Sequence, residues 1–184
     1  KIFYPENLNY NLNLAISFWQ LQQFSKSKDI YENILLFNEE NYSVMMSLAE
    51  AYNILEDYAE AENIYTRIIN CTNPTTDIYY QLALTFGNQK KYMSALLAFH
   101  EALKLNPNNL EIKYQLGVAY KELKIYYQSA NYFEAYIYEN NDDALAFFLL
   151  GSCYLKMNDY PAALLAFEKA NILMPNDNKI LYNI

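Results

Sequence analysis

A spacing of 34 residues recurs along this chain of 184 residues. Pro5 and Pro107 are 102 residues apart, which is three times 34, and Pro175 follows Pro107 after 68, which is twice 34. Gly117 and Gly151 are separated by 34. A fixed period of this length is typical of a protein built from one repeated supersecondary unit, so it confines the chain to stacked-repeat architectures.

The period divides the chain into five full repeats with no insertion. Repeats 1 to 5 are residues 8–41, 42–75, 76–109, 110–143 and 144–177. Residues 1–7 match the end of a repeat, and residues 178–184 match the start of one. We therefore expect one continuous repeat domain that is a piece of a longer array, in which residues 178–184 begin a further repeat or form a capping helix. Positions 1 to 34 below are counted from the first residue of each repeat.

Each repeat has the pattern of two amphipathic helices. Positions 4, 7, 8 and 11 are largely apolar and have the spacing of one helix face. A second apolar stripe runs through positions 17, 20, 21, 24 and 27, although Lys28 and Glu62 interrupt it at position 21. The residue that closes each repeat is suited to cap a helix by accepting a backbone N–H bond. These residues are Asn7, Asn41, Thr75, Asn109, Asp143 and Asp177. The pattern predicts an all-α fold, with Pro161 in the first turn of a second helix.

Aromatic residues occupy three positions of the repeat. The chain has 20 Tyr and 10 Phe, and half of these thirty residues fill positions 11, 17 and 24 in all five repeats. Position 8 is always Ala or Gly. This recurrence predicts that the fifteen rings serve the packing of successive helices.

The pattern resembles the tetratricopeptide repeat (TPR) family. The signature of Leu with Gly or Ala, an aromatic residue, Ala, Phe, Ala and Pro is in register over nearly the whole chain, and residues 79–109 and 147–177 match it best. The resemblance implies an α-solenoid of stacked antiparallel helix hairpins in a right-handed superhelix. Position 20 departs from the signature as Ser27 and Ser129. Tyr136 replaces the usual Ala at position 27, so we expect looser packing between repeats 4 and 5.

In this family, the face of each first helix that is opposite its core face lines a concave groove. The resemblance therefore implies a partner-binding set at positions 5, 6, 9 and 12. The set is Leu12, Asn13, Ile16, Trp19, Met46, Ser47, Glu50, Tyr80, Gln81, Leu84, Tyr114, Gln115, Val118, Phe148, Leu149, Tyr182 and Asn183. Apolar side chains outside the core favour a protein contact, and amides suit the backbone of an extended peptide. The alternative is that these residues pack against the first helix of the neighbouring repeat.

The resemblance implies a non-catalytic protein–protein interaction scaffold that binds a peptide or helical segment along the groove. Two alternatives stay open. One is the substrate-recognition array of a larger enzyme, as in the similar repeats of O-linked N-acetylglucosamine transferase; the other is an architectural spacer in a multi-subunit assembly. The family's clamp for chaperone C-terminal carboxylates needs Lys at position 5, which no repeat has. Self-association through the ends of the array is a further expectation.

Charge narrows the classes of partner. The net charge of -8 argues against nucleic acid or an anionic membrane surface. The longest stretch without a charged residue, 7–25, is rich in Asn, Gln and Ser, so it is not the continuous apolar segment that a bilayer requires, and the apolar stretch 144–155 is too short to span one. Residues 39–62 contain seven carboxylates and no Lys or Arg. A solvated acidic face and a docking patch for a basic partner both fit that segment.

No motif predicts catalysis, a cofactor or a metal site. His100 is the single histidine, and we expect it on the solvent face of a second helix with no nucleophile beside it. Cys71 and Cys153 form no metal or redox motif. This cysteine usage favours a reducing compartment such as the cytoplasm. The sequence therefore predicts a protein without enzymatic activity.

Overall fold

The computed structural model of the protein describes residues 7–175, in which the chain forms ten α-helices and no strand. The first helix of each repeat has 13 residues and begins at position 1, and the second has 14 and begins at position 17. The helices are α1 (Leu8–Gln20), α2 (Phe24–Phe37), α3 (Tyr42–Ile54), α4 (Tyr58–Cys71), α5 (Thr76–Asn88), α6 (Tyr92–Leu105), α7 (Leu110–Glu122), α8 (Tyr126–Glu139), α9 (Ala144–Lys156) and α10 (Tyr160–Leu173). The predicted all-α fold is confirmed.

The helices belong to two compact bodies. The N-terminal body is residues 1–90 and contains α1 to α5; the C-terminal body is residues 91–184 and contains α6 to α10. Within each body, helices that are consecutive in the chain pack against one another. The stability of each body therefore comes mainly from contacts between neighbouring helices, as in other stacked-repeat proteins.

Side chains at the repeat ends determine where the first helices begin. Four of the predicted caps accept a backbone N–H at 2.9–3.2 Å. They are Asn7, Asn41, Asn109 and Asp143. Thr75 makes no side-chain capping bond, so the prediction is wrong there, and Asp177 lies outside the described residues. Pro161 is in the first turn of α10 as predicted, where its missing N–H costs no helical bond.

The turn inside each repeat has the same backbone conformation in all five. Position 15 is in the left-handed region, with φ between 57° and 64°, although it is never glycine. The residues are Gln22, Glu56, Lys90, Lys124 and Asn158. In repeats 1, 2, 4 and 5 the N–H of position 16 donates to the carbonyl of position 11 at 2.9 Å, which closes the first helix with a Schellman motif. The turn therefore stores local strain, because a Cβ disfavours this backbone region.

A buried ring at position 24 packs against the small residue at position 8. The five rings are at most 4% exposed; they are Tyr31, Tyr65, Phe99, Phe133 and Phe167. A Cβ added to Gly117 would lie 2.9 Å from the Phe133 ring, and one added to Gly151 would lie 2.8 Å from the Phe167 ring. This close approach explains glycine at position 8 of repeats 4 and 5, because even an added Cβ there would displace the core ring.

The aromatic residues at position 11 connect successive repeats. The Tyr52 hydroxyl donates to Glu32 at 2.5 Å, and the Tyr154 hydroxyl donates to Glu134. Tyr120 makes the equivalent bond to His100 Nε2 at 3.0 Å. His100 is therefore half-buried and paired, so the prediction of a solvent-facing histidine is wrong.

The rings at position 17 are half-buried in repeats 1 to 4. Tyr160, in repeat 5, is 61% exposed. The prediction that all fifteen recurrent rings serve helix packing therefore does not hold for Tyr160.

The two serines at position 20 are buried hydrogen-bond donors. Ser27 and Ser129 are both 0% exposed. Their hydroxyls donate to the position 8 carbonyls of Ala15 and Gly117, at 2.9 and 2.7 Å. Each bond joins the two helices of one repeat.

Tyr136 strengthens the junction between repeats 4 and 5. It is 8% exposed. Its hydroxyl donates to Asp143 Oδ2 at 3.0 Å and accepts from Asn140 Nδ2 at 2.6 Å. Because Asp143 also caps α9, the ring ties the end of α8 to the start of the next helix. The predicted loosening at this junction is therefore wrong.

Candidate binding surfaces of the first helices

The predicted groove residues divide between the two bodies. Those on α1, α3 and α5 form the candidate N-terminal surface, and those on α7 and α9 form the candidate C-terminal surface. Of the fifteen that lie within residues 7–175, Asn13 and Ile16 are exposed and the other thirteen are half-buried. Tyr182 and Asn183 lie outside the described residues. The set therefore lies at the border between the core and solvent.

On the C-terminal surface, the rings at position 5 rest on the second helix of their own repeat. Tyr114 meets Phe133 and Tyr136 edge-on, with ring centroids 5.7 and 5.2 Å apart. Phe148 lies 5.7 Å from Phe167 in a tilted pair. One side of each ring therefore supports the core, which neither sequence interpretation anticipated.

On the N-terminal surface, the core also partly covers two apolar residues of α1. Leu12 and Trp19 are half-buried and pack against the core cluster that contains Ala15 and Ile30. Trp19 also meets Phe24 edge-on at 5.1 Å. Ile16 lies between them in sequence and is 46% exposed, so α1 presents an apolar side chain directly to solvent.

The amide at position 6 is half-buried in repeats 3 and 4. Gln115 Nε2 donates to Glu111 Oε1, one turn back on the same helix, at 3.2 Å. Gln81 is half-buried at the equivalent position of α5. A bond of this kind at a solvent-facing site is readily exchanged for one to a ligand, because its net stabilisation is small.

A polar cluster lies beneath the N-terminal surface between α3 and α5, where Thr85 is 0% exposed. Asn53 Nδ2 donates to Thr85 Oγ1 at 2.9 Å, and the Thr85 hydroxyl donates to the Gln81 carbonyl at 2.8 Å. Glu50 is half-buried one turn before Asn53. Burial raises the pKa of the Glu50 carboxyl, and the charge of Asp77 raises it further.

The hydroxyl of Tyr65, on α4, belongs to the same cluster. Tyr65 is 0% exposed. Its hydroxyl lies near Asn53 but has no partner at hydrogen-bonding geometry. Burial raises the pKa of the Tyr65 hydroxyl, and the charges of Glu50 and Asp77 raise it further. The sequence places Tyr65 at a core position of the repeat and does not show that its hydroxyl is buried without a partner.

Residues 7–175 contain neither a candidate metal centre nor a candidate membrane-spanning helix. No group of three or more His, Cys, Asp or Glu side chains there is arranged to hold a metal ion. None of the helices in that range is both long enough and apolar enough to cross a membrane.

Models of the tetratricopeptide repeat match residues 12–73, 76–109 and 144–177 of the chain. The matches together span most of the sequence and carry the same family description. No curated protein matches the chain in sequence.

Solved structures of TPR proteins share the fold. YrrB, described as a TPR protein with an unusual peptide-binding site, is 20% identical and has a TM-score of 0.84, covering 96% of this chain and 91% of its own. A MamA protein is 17% identical with a TM-score of 0.83, covering 89% of each chain. MamA residues 41 to the end, from Desulfovibrio magneticus RS-1, are 14% identical with a TM-score of 0.85, covering 91% of this chain and 95% of that one. At these identities the likeness shows the solenoid fold alone.

Proposed function

The chain belongs to the tetratricopeptide repeat family, and we propose that it is a non-catalytic scaffold that binds a peptide or helical segment of a partner protein along its first helices. Protein interaction is the general role of this family. The groove, its occupant and the absence of catalysis are parts of the proposal. The exclusion of nucleic acid and association through the ends of the array stay predictions.

The observation that carries the proposal is the mixed character of the first-helix surfaces. The N-terminal surface has an exposed apolar side chain, and the C-terminal surface has an amide that bonds within its own helix and follows the half-buried ring of Tyr114 in the chain. Ile16 is 46% exposed, and Gln115 bonds to Glu111 one turn away. An apolar surface of this kind gains free energy when a ligand removes it from water. The amides can then pair with the backbone groups of the ligand, which would otherwise lose their hydrogen bonds on burial.

The half-buried rings favour binding for a second reason. Tyr114 and Phe148 are held against core rings on one side. A held ring loses little conformational entropy when a partner covers its other side, so it contributes more net binding energy than a mobile side chain. YrrB, whose fold is similar, is described as having a peptide-binding site, which is consistent with a peptide as ligand.

The proposal is tested by selecting peptides against the purified chain from a phage-displayed library of random 12-residue sequences. We expect binders whose affinity falls in the variants Gln81→Ala and Gln115→Ala. Loss of one amide-to-backbone hydrogen bond should weaken binding by roughly 2- to 10-fold. Affinity is measured by fluorescence anisotropy with labelled synthetic copies of the selected peptides.

Gln128→Ala is the matched control, because Gln128 is an exposed glutamine on the second helix of repeat 4. It should leave affinity unchanged. The proposal is wrong if the library yields no binder, or if Gln128→Ala weakens binding as much as the first-helix variants do.

A further inference from the structure

An open apolar pocket lies between the two helices of repeat 5, and we call it the repeat 5 pocket. Its volume is about 240 Å³, and it is lined by Phe147, Leu150 and Tyr154 of α9 and by Ala162, Leu165, Ala166 and Lys169 of α10. None of these residues belongs to the predicted partner-binding set. A cavity of about 150 Å³ with apolar walls is large enough to bind benzene, so the pocket has room for one aromatic ring.

The equivalent place in repeat 4 is filled by a ring of the chain itself. Tyr132, at position 23 of α8, stacks on the position 11 ring of Tyr120, with centroids 5.5 Å apart and an angle of 11° between the ring planes. In repeat 5, position 11 is Tyr154 but position 23 is Ala166. The ring that fills this place in repeat 4 therefore has no counterpart in repeat 5.

The two rings at position 11 are held in the same way. Each of the Tyr120 and Tyr154 hydroxyls bonds to the residue at position 25 of the preceding repeat. Tyr154 is therefore fixed by its own hydrogen bond before any ligand arrives. A ring that is already held loses little conformational entropy when another ring covers it.

The charged residue that lines the pocket is Lys169. It is exposed, and it forms no ion pair within residues 7–175. Glu168 precedes it in α10, but adjacent residues of a helix do not face one another. An unpaired ammonium beside an apolar pocket is complementary to a ligand that carries a carboxylate next to an apolar group.

We propose that the repeat 5 pocket binds an aromatic side chain of a partner protein in which an acidic residue follows the aromatic one. The aromatic ring takes the place that Tyr132 has in repeat 4 and stacks on Tyr154, and the carboxylate pairs with Lys169. Stacked aromatic pairs contribute binding energy beyond the area that they bury. Because the pocket shares no residue with the predicted partner-binding set, this segment does not compete with the peptide of the proposed function.

The test is an NMR titration of the 15N-labelled chain with three capped peptides, acetyl-Ala-Phe-Glu-Ala-amide and its analogues with Leu for Phe or Gln for Glu. We expect the first peptide to shift the amide resonances of Tyr154, Leu165 and Lys169. The Leu analogue should bind roughly 2- to 10-fold more weakly, because it lacks the stacked ring. The Gln analogue should bind roughly 2- to 5-fold more weakly, as expected for loss of an exposed ion pair.

The variant Ala166→Tyr gives repeat 5 the ring that repeat 4 has at the same position. It should weaken binding at least about tenfold, because a pocket filled by the chain's own ring excludes a second one. Circular dichroism should show unchanged helix content, since the repeat accepts tyrosine there. The variant Lys169→Gln leaves the pocket open and should remove the preference for the Glu peptide over the Gln peptide, which decides the question if Ala166→Tyr does not fold.

Ile172→Ala is the matched control, because Ile172 is an exposed apolar residue of α10 that does not line the pocket. It should change the affinity less than about twofold. Equal binding of the Phe and Leu peptides, or equal losses in the Ala166→Tyr and Ile172→Ala variants, would overturn the proposal. If the same resonances shift with protein concentration alone, a second copy of the chain occupies the pocket and the proposed ligand is wrong.

Discussion

Tyr65→Phe should stabilise the free protein. The substitution removes one oxygen from a ring that is 0% exposed and whose hydroxyl has no hydrogen-bond partner. The fold already accepts phenylalanine at this position of the repeat, because Phe99, Phe133 and Phe167 occupy it in repeats 3 to 5. The change therefore leaves the packing of the ring in place and removes a desolvated polar group.

The magnitude follows from two opposing effects. A hydroxyl buried without a partner costs about 1–3 kcal/mol. Removing the oxygen also removes its dispersion contacts, each of which contributes about 0.1–0.2 kcal/mol, so a few tenths are lost. The free energy of unfolding should therefore rise by about 1 kcal/mol, since the desolvation cost is the larger effect.

Hydrogen exchange of backbone amides is the suitable assay. The stability of a repeat protein is a sum of local contributions. The midpoint of a single unfolding curve can therefore average over parts of the chain that unfold separately. Amides in α3, α4 and α5 should exchange about fivefold more slowly in the variant, which corresponds to about 1 kcal/mol. Amides in α8 and α10 should be unaffected.

Tyr31→Phe is the control, because it makes the same chemical change at position 24 of repeat 1. Among the described residues, the buried side-chain oxygens without a partner belong to Tyr65 and Asn171 and not to Tyr31. The control should therefore change stability by less than about 0.5 kcal/mol. If Tyr65→Phe instead destabilises α3 to α5, the hydroxyl is hydrogen-bonded in solution, with the nearby Asn53 as its partner.

Three further predictions concern two glycines, one left-handed turn and the single histidine. In each case the free energy of unfolding is measured by urea denaturation. Gly87→Ala should raise the free energy of unfolding by about 0.5–1 kcal/mol, because nothing lies within 4 Å of the added Cβ. Gly151→Ala should lower it by about 1–2 kcal/mol, since the new Cβ would overlap a buried ring; equal effects at the two glycines would contradict the packing argument. Lys124→Gly should raise it by about 0.5–1 kcal/mol by relieving a left-handed backbone with φ 62°, whereas Lys121→Gly, inside α7, should lower it by about 1 kcal/mol. Burial, followed by the charge of a nearby lysine, lowers the pKa of His100 below 6.5, so the unfolded chain binds a proton more readily and stability should fall as the pH drops below about 6.5. The His100→Gln variant should lose less stability than the wild type between about pH 7 and 5.5. If stability depends on pH identically in the two proteins, His100 is not the group responsible.

Much of the fold was predictable from the sequence, because the architecture is local and repeated. The capping residues predicted that each first helix begins at position 1, and the structure has it there in all five repeats. Asn and Asp at the repeat ends predicted four helix caps that the structure confirms. Such features depend on residues a few positions apart, so periodicity and capping chemistry are sufficient to find them.

The contacts of residues that depart from the repeat pattern could not be predicted in the same way. Tyr136 was expected to loosen a junction, but its hydroxyl bonds to Asp143, seven residues on. His100 was expected in solvent, but it pairs with Tyr120 of the next repeat. The sequence pattern shows what the repeats share, while the effect of one unusual side chain depends on what the adjacent repeat places opposite it.

The sequence by itself determined the class of fold, the residues at which the first helices begin and the first-helix face as the place to look for a partner. Only the tertiary structure decided which groups on that face are available. It placed Tyr114 against Phe133 and left Ile16 46% exposed to solvent. These differences depend on packing distances and ring orientations between helices, which a linear spacing does not encode. The structure therefore separated the groove residues that also support the core from those that face solvent.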